Sequence, residues 1–185
     1  MSGKITLVLG GARSGKSRFA ENLVLSQADR DNFAPVYVAT GEVRDDEMRD
    51  RIAHHQNNRD ARWQTLEEPL ALGQVLSREA RPDRILLVDC LTLWLSNQLG
   101  QDADIPAAFD ELGNVLKNAA GPIVLVSNEV GLGIVPVNDL ARRFRDDAGR
   151  LNQLVAGIAS DVFFVAAGLT LPLKTNNVPL GPEIN

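Results

Sequence analysis

The sequence predicts an α/β fold, in which helices cover both faces of a mostly parallel central sheet. Five short, continuous apolar runs alternate along the chain with longer segments of helical periodicity. Strands that are apolar at every position are buried on both sides, which is typical of parallel sheets between helices. A glycine-rich turn at 10–17 (GGARSGKS) joins the first run to the first helix. It matches G-x-x-x-x-G-K-[ST], the pattern of a phosphate-binding P-loop.

Local signals support the individual elements. The predicted strands are 5–9, 36–39, 63–66, 85–88, 123–127 and 162–166. The predicted helices are 17–27, 45–57, 69–80, 91–99, 106–119 and 138–159. Acidic residues at 45–47 suit the positive end of the second helix. Pro69 is favourable in the first turn of the third helix, and Asn138 is a typical N-cap for the last one.

Length and composition indicate one globular domain. The chain has 185 residues, of which 44% are hydrophobic and 23% are charged. Its net charge of −5 argues against binding to nucleic acid or to anionic membranes. Cys90 is the single cysteine, which excludes an internal disulfide and suits a reducing cytosol. From Pro172 the chain is rich in proline and asparagine. We therefore expect one catalytic domain at 1–171 and a loop or tail at 172–185.

Targeting signals are not evident. No apolar run approaches the ~20 residues of a transmembrane helix. The N-terminus enters the first strand almost directly, so no signal peptide is expected. Together with the single cysteine, this predicts a cytoplasmic protein.

In sheets of this kind, ligands bind at the carboxyl ends of the parallel strands. The P-loop starts at such an end, and its backbone N–H groups and the helix dipole attract phosphate. We expect Lys16 to reach the β- and γ-phosphates of a nucleotide, and the Ser17 hydroxyl to bind Mg²⁺. Asp89 ends another apolar strand, which is the Walker B arrangement for a carboxylate that helps to hold the metal. The sequence therefore predicts a site for a magnesium–nucleotide complex.

Two adjacent histidines lie in the second predicted helix. Helical spacing puts His55 on the face of Ile52, turned toward the protein, whereas His54 points away. Arg51 and Arg59 lie four residues before and after His55, so two guanidiniums would flank its imidazole. Such surroundings attract phosphate and keep an imidazole neutral and nucleophilic. Two interpretations stay open: His55 attacks phosphorus, or both histidines are solvated helix residues.

The loop at 128–136 (NEVGLGIVP) follows a predicted strand at the same edge. Its two glycines and its proline indicate a defined conformation, and Glu129 either orients an acceptor hydroxyl or is a solvated acid. Four arginines on the next helix either hold phosphates or form a solvated or subunit-contact face. They are Arg142, Arg143, Arg145 and Arg150. No N-K-x-D signature begins at Asn128, so the guanine-reading code of small GTPases is absent.

Taken together, these segments resemble one family, the bifunctional adenosylcobinamide kinase / adenosylcobinamide-phosphate guanylyltransferase of cobalamin biosynthesis. The resemblance covers the chain to about residue 168. The segments that carry it are GGARSGKSRFAE at 10–21, YVAT at 37–40, DDEMRDRIAHHQNNR at 45–59, W-x-T-x-E at 63–67, LLVDCLTLW at 86–94, NEVGLGIVP at 128–136 and FRDDAGRLNQ at 144–153. The histidine pair and the NEVGLGIVP loop, in this order, make the match specific.

The resemblance implies a RecA-like P-loop fold with two reactions at or near one nucleotide site. First, ATP or GTP phosphorylates the aminopropanol hydroxyl of adenosylcobinamide. Second, GMP passes from GTP to adenosylcobinamide phosphate through a GMP–histidine intermediate, which gives adenosyl-GDP-cobinamide and pyrophosphate. The second histidine of the pair is the family's nucleophile, and His55 occupies this position. The family includes a homotrimer, so we expect a homo-oligomer.

The resemblance also assigns nucleotide contacts. They are Gly10, Gly11, Ala12, Arg13, Ser14, Gly15, Lys16, Ser17, Ala39, Thr40, Gly41, Gln56, Asn57, Asn58, Arg59, Glu67 and Asp89. Ser17 and Asp89 are the expected Mg²⁺ ligands.

Three other functions compete with this interpretation. A plain P-loop small-molecule kinase would keep all its activity without His55. A nucleotide-binding switch would bind GTP without releasing pyrophosphate. A RecA-like DNA-dependent ATPase is disfavoured by the acidic charge and the small size of the chain.

Overall fold

The computed structural model describes residues 3–42 and 60–181. Its strands are β1 (Ile5–Gly10), β2 (Ala34–Ala39), β3 (Gln64–Glu67), β4 (Arg84–Asp89), β5 (Ile123–Asn128), β6 (Asp161–Ala166), β7 (Leu169–Thr175) and β8 (Val178–Pro179). Its helices are α1 (Lys16–Asp31), α2 (Leu72–Glu79), α3 (Leu91–Gly100), α4 (Ile105–Lys117) and α5 (Asp139–Ile158). The helix predicted at 45–57 lies outside the described residues.

The described strands form one sheet in the order β3-β2-β4-β5-β1-β6-β7-β8. The strands from β3 to β6 in this order pair in parallel. β7 and β8 pair in antiparallel orientation at one edge. Every residue of β1, near the middle of the sheet, is buried. The prediction of a mostly parallel sheet is confirmed.

Helices cover both faces of the sheet. Successive residues of a strand point to opposite faces. In β4, Leu87 belongs to the cluster that contains Val24 of α1. Its neighbour Leu86 belongs to the other cluster, with Leu95 of α3 and Leu151 of α5. Burial on both sides explains why these strands are unbroken apolar runs in the sequence. In the described ranges, no helix combines the length and the apolar character that crossing a bilayer requires.

Helix α2 starts later than predicted. The sequence predicts Pro69 in its first turn, but the helix begins at Leu72. The Glu68 carboxylate accepts hydrogen bonds from the N–H groups of Leu70 and Ala71, at 2.9 Å and 2.7 Å. Ala71, the N-cap of α2, has a φ of −86° and a ψ of 45°, outside the helical range, so residues 68–71 form a separate turn before the helix.

The end of the described chain extends the sheet. β7 pairs with β6, and β8 pairs with β7. Pro172 lies opposite Phe163, where the register of the ladder shifts, and such a bulge tolerates a residue without an N–H group. The loop predicted from Pro172 is therefore wrong for β7 and β8. Leucines at alternate positions of β7 were the missed signal. A division into a domain at 1–171 and a tail at 172–185 stays a prediction, although β7 runs through that boundary.

Candidate nucleotide-binding site

The strand register brings the predicted binding segments to one edge of the sheet. Ala39 at the end of β2 pairs with Glu67 on one side and with Asp89 on the other. Gly10, where the P-loop begins, pairs with Asn128 at the end of β5. The carboxyl ends of β3, β2, β4, β5 and β1 therefore lie side by side. This is the edge at which open α/β sheets bind ligands.

The P-loop turns into the N-terminus of α1. A 3.3 Å hydrogen bond from the Ser14 N–H to the Gly11 carbonyl closes the turn. Gly15, the N-cap of α1, has a φ of 96°, a conformation that favours glycine. Lys16 is buried, and its Nζ donates to the Gly11 carbonyl oxygen at 3.2 Å. Because α1 has no acidic residue in its first turn, its N–H groups and Lys16 form a positive site that suits phosphate.

The turn between β6 and β7 packs against the P-loop. A Cβ on Gly10 would lie 2.4 Å from the Val165 carbonyl oxygen, so only glycine fits at this position. The Gly168 N–H donates to the Ser14 carbonyl at 2.9 Å. Ala167 and Gly168 both have positive φ, as tight hairpin turns require. We did not predict this contact from the sequence, in which the Ala-Gly pair between two apolar runs was the available signal.

Ser14 carries a buried hydroxyl without a partner. In the part of the chain that the structure describes, its Oγ is the one buried side-chain oxygen or nitrogen that makes no hydrogen bond. Buried hydroxyls in folded proteins nearly always have a partner. An unsatisfied donor inside the loop is consistent with a ligand that brings oxygen acceptors, as a phosphate does.

Asp89 is held at the end of β4 by the neighbouring strand. Tyr37 Oη donates a 2.9 Å hydrogen bond to Asp89 Oδ2. The Thr40 hydroxyl accepts from the Cys90 N–H at 2.8 Å and donates to the Cys90 carbonyl at 2.7 Å. Burial, and then the negative charge of Asp89, raises the pKa of the Cys90 thiol. Cys90 is therefore a neutral, buried thiol and not a candidate nucleophile.

Helix α3 fixes the loops that follow β2 and β3. Asn97 Nδ2 donates to the Thr40 carbonyl at 2.8 Å and to the Pro69 carbonyl at 3.1 Å. Gln98 Nε2 donates to the Leu70 carbonyl at 2.8 Å. These contacts place the backbone after Ala39 and after Glu67 relative to β4. They were not predictable, because amide side chains in a helix are equally typical of an exposed face.

The loop after β5 is attached directly to the P-loop. The Glu129 N–H donates to the Gly10 carbonyl at 3.1 Å. The Glu129 carboxylate accepts from the Gly131 N–H at 2.5 Å, so it shapes its own loop.

Comparison with known proteins identifies the family. The model of the family described as cobinamide kinase / cobinamide phosphate guanyltransferase matches residues 6–173. The chain belongs to this family. It is 51% identical over 172 residues to the bifunctional adenosylcobalamin biosynthesis protein CobP of Pseudomonas aeruginosa, with 91% of this chain and 96% of that protein covered. It is 39% identical over 183 residues to CobU of Escherichia coli, a protein of the same description, with 91% and 98% covered.

Solved structures share the fold at low sequence identity. Flagellar accessory protein FlaH from Methanocaldococcus jannaschii is 12% identical, with a TM-score of 0.55 over 98% of this chain and 83% of that chain. An ATPase domain is also 12% identical, with a TM-score of 0.56 over 96% and 79%. The predicted P-loop α/β fold is confirmed. The family confirms the prediction of an enzyme, a bifunctional cobinamide kinase and guanylyltransferase.

The family's histidine segment lies outside the described residues. This holds for His55, Gln56, Asn57, Asn58 and Arg59. After this segment, Trp63 packs edge-to-face on Tyr37, with 5.7 Å between the ring centroids. Arg62 pairs with Asp29 at 2.5 Å and with Asp60 at 2.9 Å. The hydrogen bond from Arg62 lowers the pKa of Asp60 to about 2. Tyr37 thus contacts both Trp63 and the carboxylate of Asp89.

Arginines of α5 pair with aspartates of the same helix. Arg143 and Arg150 both contact Asp147, at 3.6 Å and 2.7 Å. Arg145 contacts Asp146 at 2.9 Å. These pairings favour a structural or solvated face over the alternative in which the arginines hold phosphates.

Two oxygen donors, Ser17 in the first turn of α1 and Asp89 at the end of β4, are of a type that fits Mg²⁺. The Ser17 hydroxyl and the Asp89 carboxylate are hard ligands of the type that this ion prefers. Among residues 3–42 and 60–181, no group of three or more His, Cys, Asp or Glu side chains could hold a metal by itself. A site with two protein ligands suits Mg²⁺, because this ion usually completes its coordination with phosphate oxygens and water.

Proposed function

We propose that one nucleotide site at the carboxyl edge of the sheet serves both reactions of the family in this chain. The first is phosphorylation of adenosylcobinamide by ATP or GTP. The second is transfer of GMP from GTP to adenosylcobinamide phosphate. The observation that carries the proposal is a P-loop with a buried Lys16, at the same sheet edge as Asp89, in a chain that the family model matches over 6–173.

In the kinase step, the acceptor hydroxyl attacks the γ-phosphorus of the bound nucleotide. The bond from the γ-phosphorus to the bridging oxygen of the β-phosphate breaks, the nucleoside diphosphate leaves, and the hydroxyl proton passes to solvent. Lys16 and the N–H groups of the P-loop neutralise the negative charge that builds up on the phosphate oxygens. When bound, Mg²⁺ would be held by Ser17 and Asp89 and would neutralise the same charge.

In the guanylyl step, we assign the nucleophile to His55. Its imidazole attacks the α-phosphorus of GTP, a P–N bond forms, and pyrophosphate leaves. A phosphate oxygen of adenosylcobinamide phosphate then attacks the same phosphorus, and the P–N bond breaks. The covalent relay replaces one displacement between two anions with two easier steps. The support for His55 is its predicted position on the inward face of its helix and its match to the family's second histidine.

The remaining nucleotide contacts are proposed from the resemblance and from the sheet edge. Ala39 ends β2, between Glu67 at the end of β3 and Asp89 at the end of β4, and Thr40 and Gly41 follow it. Gln56, Asn57, Asn58 and Arg59 follow the nucleophile in sequence. A homotrimer and a cytoplasmic location are further proposals, supported by the resemblance and by a free, buried Cys90.

Labelling with α-³²P-GTP tests the covalent intermediate. The wild type, His55→Ala and His54→Ala are incubated with labelled GTP and Mg²⁺ and separated on a denaturing gel. We expect an acid-labile, alkali-stable label on the wild type and on His54→Ala, and none on His55→Ala. A wild type that binds GTP but carries no label would contradict the intermediate and leave a plain kinase or a nucleotide switch.

A further inference from the structure

We propose that the segment 129–140, here called the apolar loop, binds the corrinoid ring of the acceptor substrate. The inference rests on the proposed function, and it assigns a substrate subsite to a surface beside the P-loop. The apolar loop connects β5 to α5 and ends in the first turn of that helix.

The apolar loop presents large hydrophobic side chains to solvent. Their exposed fractions are 82% for Leu132, 98% for Ile134, 61% for Val135, 97% for Val137 and 65% for Leu140. A contiguous exposed apolar patch on a soluble protein commonly marks a binding surface. Two fully exposed β-branched side chains in one short loop have no packing role within the described chain.

Hydrogen bonds hold the loop at both ends. At its start, the Glu129 N–H donates to the Gly10 carbonyl of the P-loop. At its end, Arg142 Nη1 donates to the Pro136 carbonyl at 3.0 Å and to the Val137 carbonyl at 2.6 Å. The apolar side chains are therefore presented by a fixed backbone. A preformed surface of this kind loses less conformational entropy when a ligand binds.

The position of the loop identifies its occupant. The acceptor hydroxyl must reach the γ-phosphorus at the P-loop, so the rest of this large substrate must lie on the adjoining surface. A corrinoid is a broad macrocycle that carries methyl groups besides its polar amide side chains, so it offers apolar surface to a loop of this kind. The start of the apolar loop is hydrogen-bonded to Gly10 of the P-loop, so the loop adjoins the nucleotide site. A second copy of the chain fits less well, because this short loop is smaller than a standard interface of roughly 20–30 residues from each partner, and the exposed leucines of β7 offer the proposed oligomer another surface.

Paired substitutions test the assignment. Ile134→Ser and Val137→Ser remove apolar groups that are exposed, so folding is not at risk. Val178→Ser on β8 is the matched control, because Val178 is also exposed but pairs with Thr175, away from the P-loop edge. For each loop variant we expect the KM for adenosylcobinamide, and the Kd of dicyanocobinamide in equilibrium dialysis, to rise about tenfold. The control should keep the wild-type values.

Two controls separate this inference from the proposed function. Guanylylation of the protein by labelled GTP needs no corrinoid, and it should be unchanged in the loop variants. Sedimentation velocity should give the wild-type assembly for every variant. Unchanged KM and Kd for the corrinoids, in variants that are still guanylylated, would overturn the inference alone. A change of assembly in the loop variants would also overturn it and assign the loop to a second copy.

Discussion

At the scale of single residues, Tyr37 contacts both Trp63 and the proposed metal ligand Asp89. Its ring is almost fully buried and packs on Trp63, which follows the histidine segment in the sequence. Its hydroxyl donates to Asp89 Oδ2 at 2.9 Å. This hydrogen bond holds one of the two carboxylate oxygens in place. Tyr37 is thus a positioning residue for the proposed metal ligand.

We expect Tyr37→Phe to raise the Mg²⁺ concentration needed for half-maximal binding of a non-hydrolysable GTP analogue by about tenfold, because a hydrogen bond to a charged group is worth about 1.5–3 kcal/mol. The phenylalanine ring keeps the contact with Trp63, so the thermal midpoint should change little. Calorimetric titration at several Mg²⁺ concentrations measures the effect. An unaltered Mg²⁺ dependence would show that Tyr37 does not position Asp89.

The P-loop glycines could be predicted from the sequence because each meets a requirement of the local backbone. Gly15 supplies a left-handed φ, and Gly10 leaves room for the Val165 carbonyl. The roles of Tyr37 and Asn97 were not readable. Their partners lie 52 and 57 residues away in the chain, and only the sheet order brings them together.

Helices and strands were predictable where a capping residue or a continuous apolar run marks them in the sequence. The Asn138 side chain accepts from the Ala141 N–H at 2.7 Å, which confirms it as the N-cap of α5. The buried strands β1, β4 and β5 were predicted because short, unbroken apolar runs are typical of strands buried on both faces. β7 was missed because Pro172 interrupts its alternating leucines, and these leucines stay exposed instead of forming a buried apolar run.

An ion pair joins the end of α2 to the start of β4. The buried Glu79 carboxylate accepts from Arg78 Nε at 2.7 Å and pairs with Arg84. The pKa of Glu79 lies below its ordinary value of 4.5. The hydrogen bond from Arg78 is the largest cause, and the positive charge of Arg84 lowers the pKa further. A carboxylate whose pKa is lower in the folded state stabilises the fold above its unfolded pKa, and this stabilisation is lost as the pH falls through the folded pKa.

Glu79→Gln should therefore lower the free energy of unfolding by about 1 kcal/mol at pH 7. The difference from the wild type should shrink as the pH falls below 4.5, because protonation then removes the same charge from the wild type. Urea unfolding at a series of pH values measures it. Asp110→Asn, on the exposed surface of α4, is the control and should show no such trend. A cost for Glu79→Gln that persists at low pH would mean that packing, not charge, is responsible.

At the scale of the whole molecule, the sheet order explains how distant segments form one site. The P-loop follows β1, the Thr40 loop follows β2, and Asp89 ends β4, with β5 between β4 and β1. The sequence predicted that these loops share the carboxyl edge of the sheet, since all follow parallel strands. It did not predict which loops are neighbours, because strand order depends on packing across the whole chain. The contact of the β6–β7 turn with Ser14 could not be predicted for the same reason.

The central claim is that one P-loop site performs both reactions and that His55 serves only the second. The direct test is separation of the products formed from adenosylcobinamide and GTP by the wild type, His55→Ala and Lys16→Ala. We expect adenosyl-GDP-cobinamide from the wild type, accumulation of adenosylcobinamide phosphate with His55→Ala, and neither product with Lys16→Ala. Formation of adenosyl-GDP-cobinamide by His55→Ala, or guanylyl transfer to supplied adenosylcobinamide phosphate by Lys16→Ala at the wild-type rate, would contradict the claim.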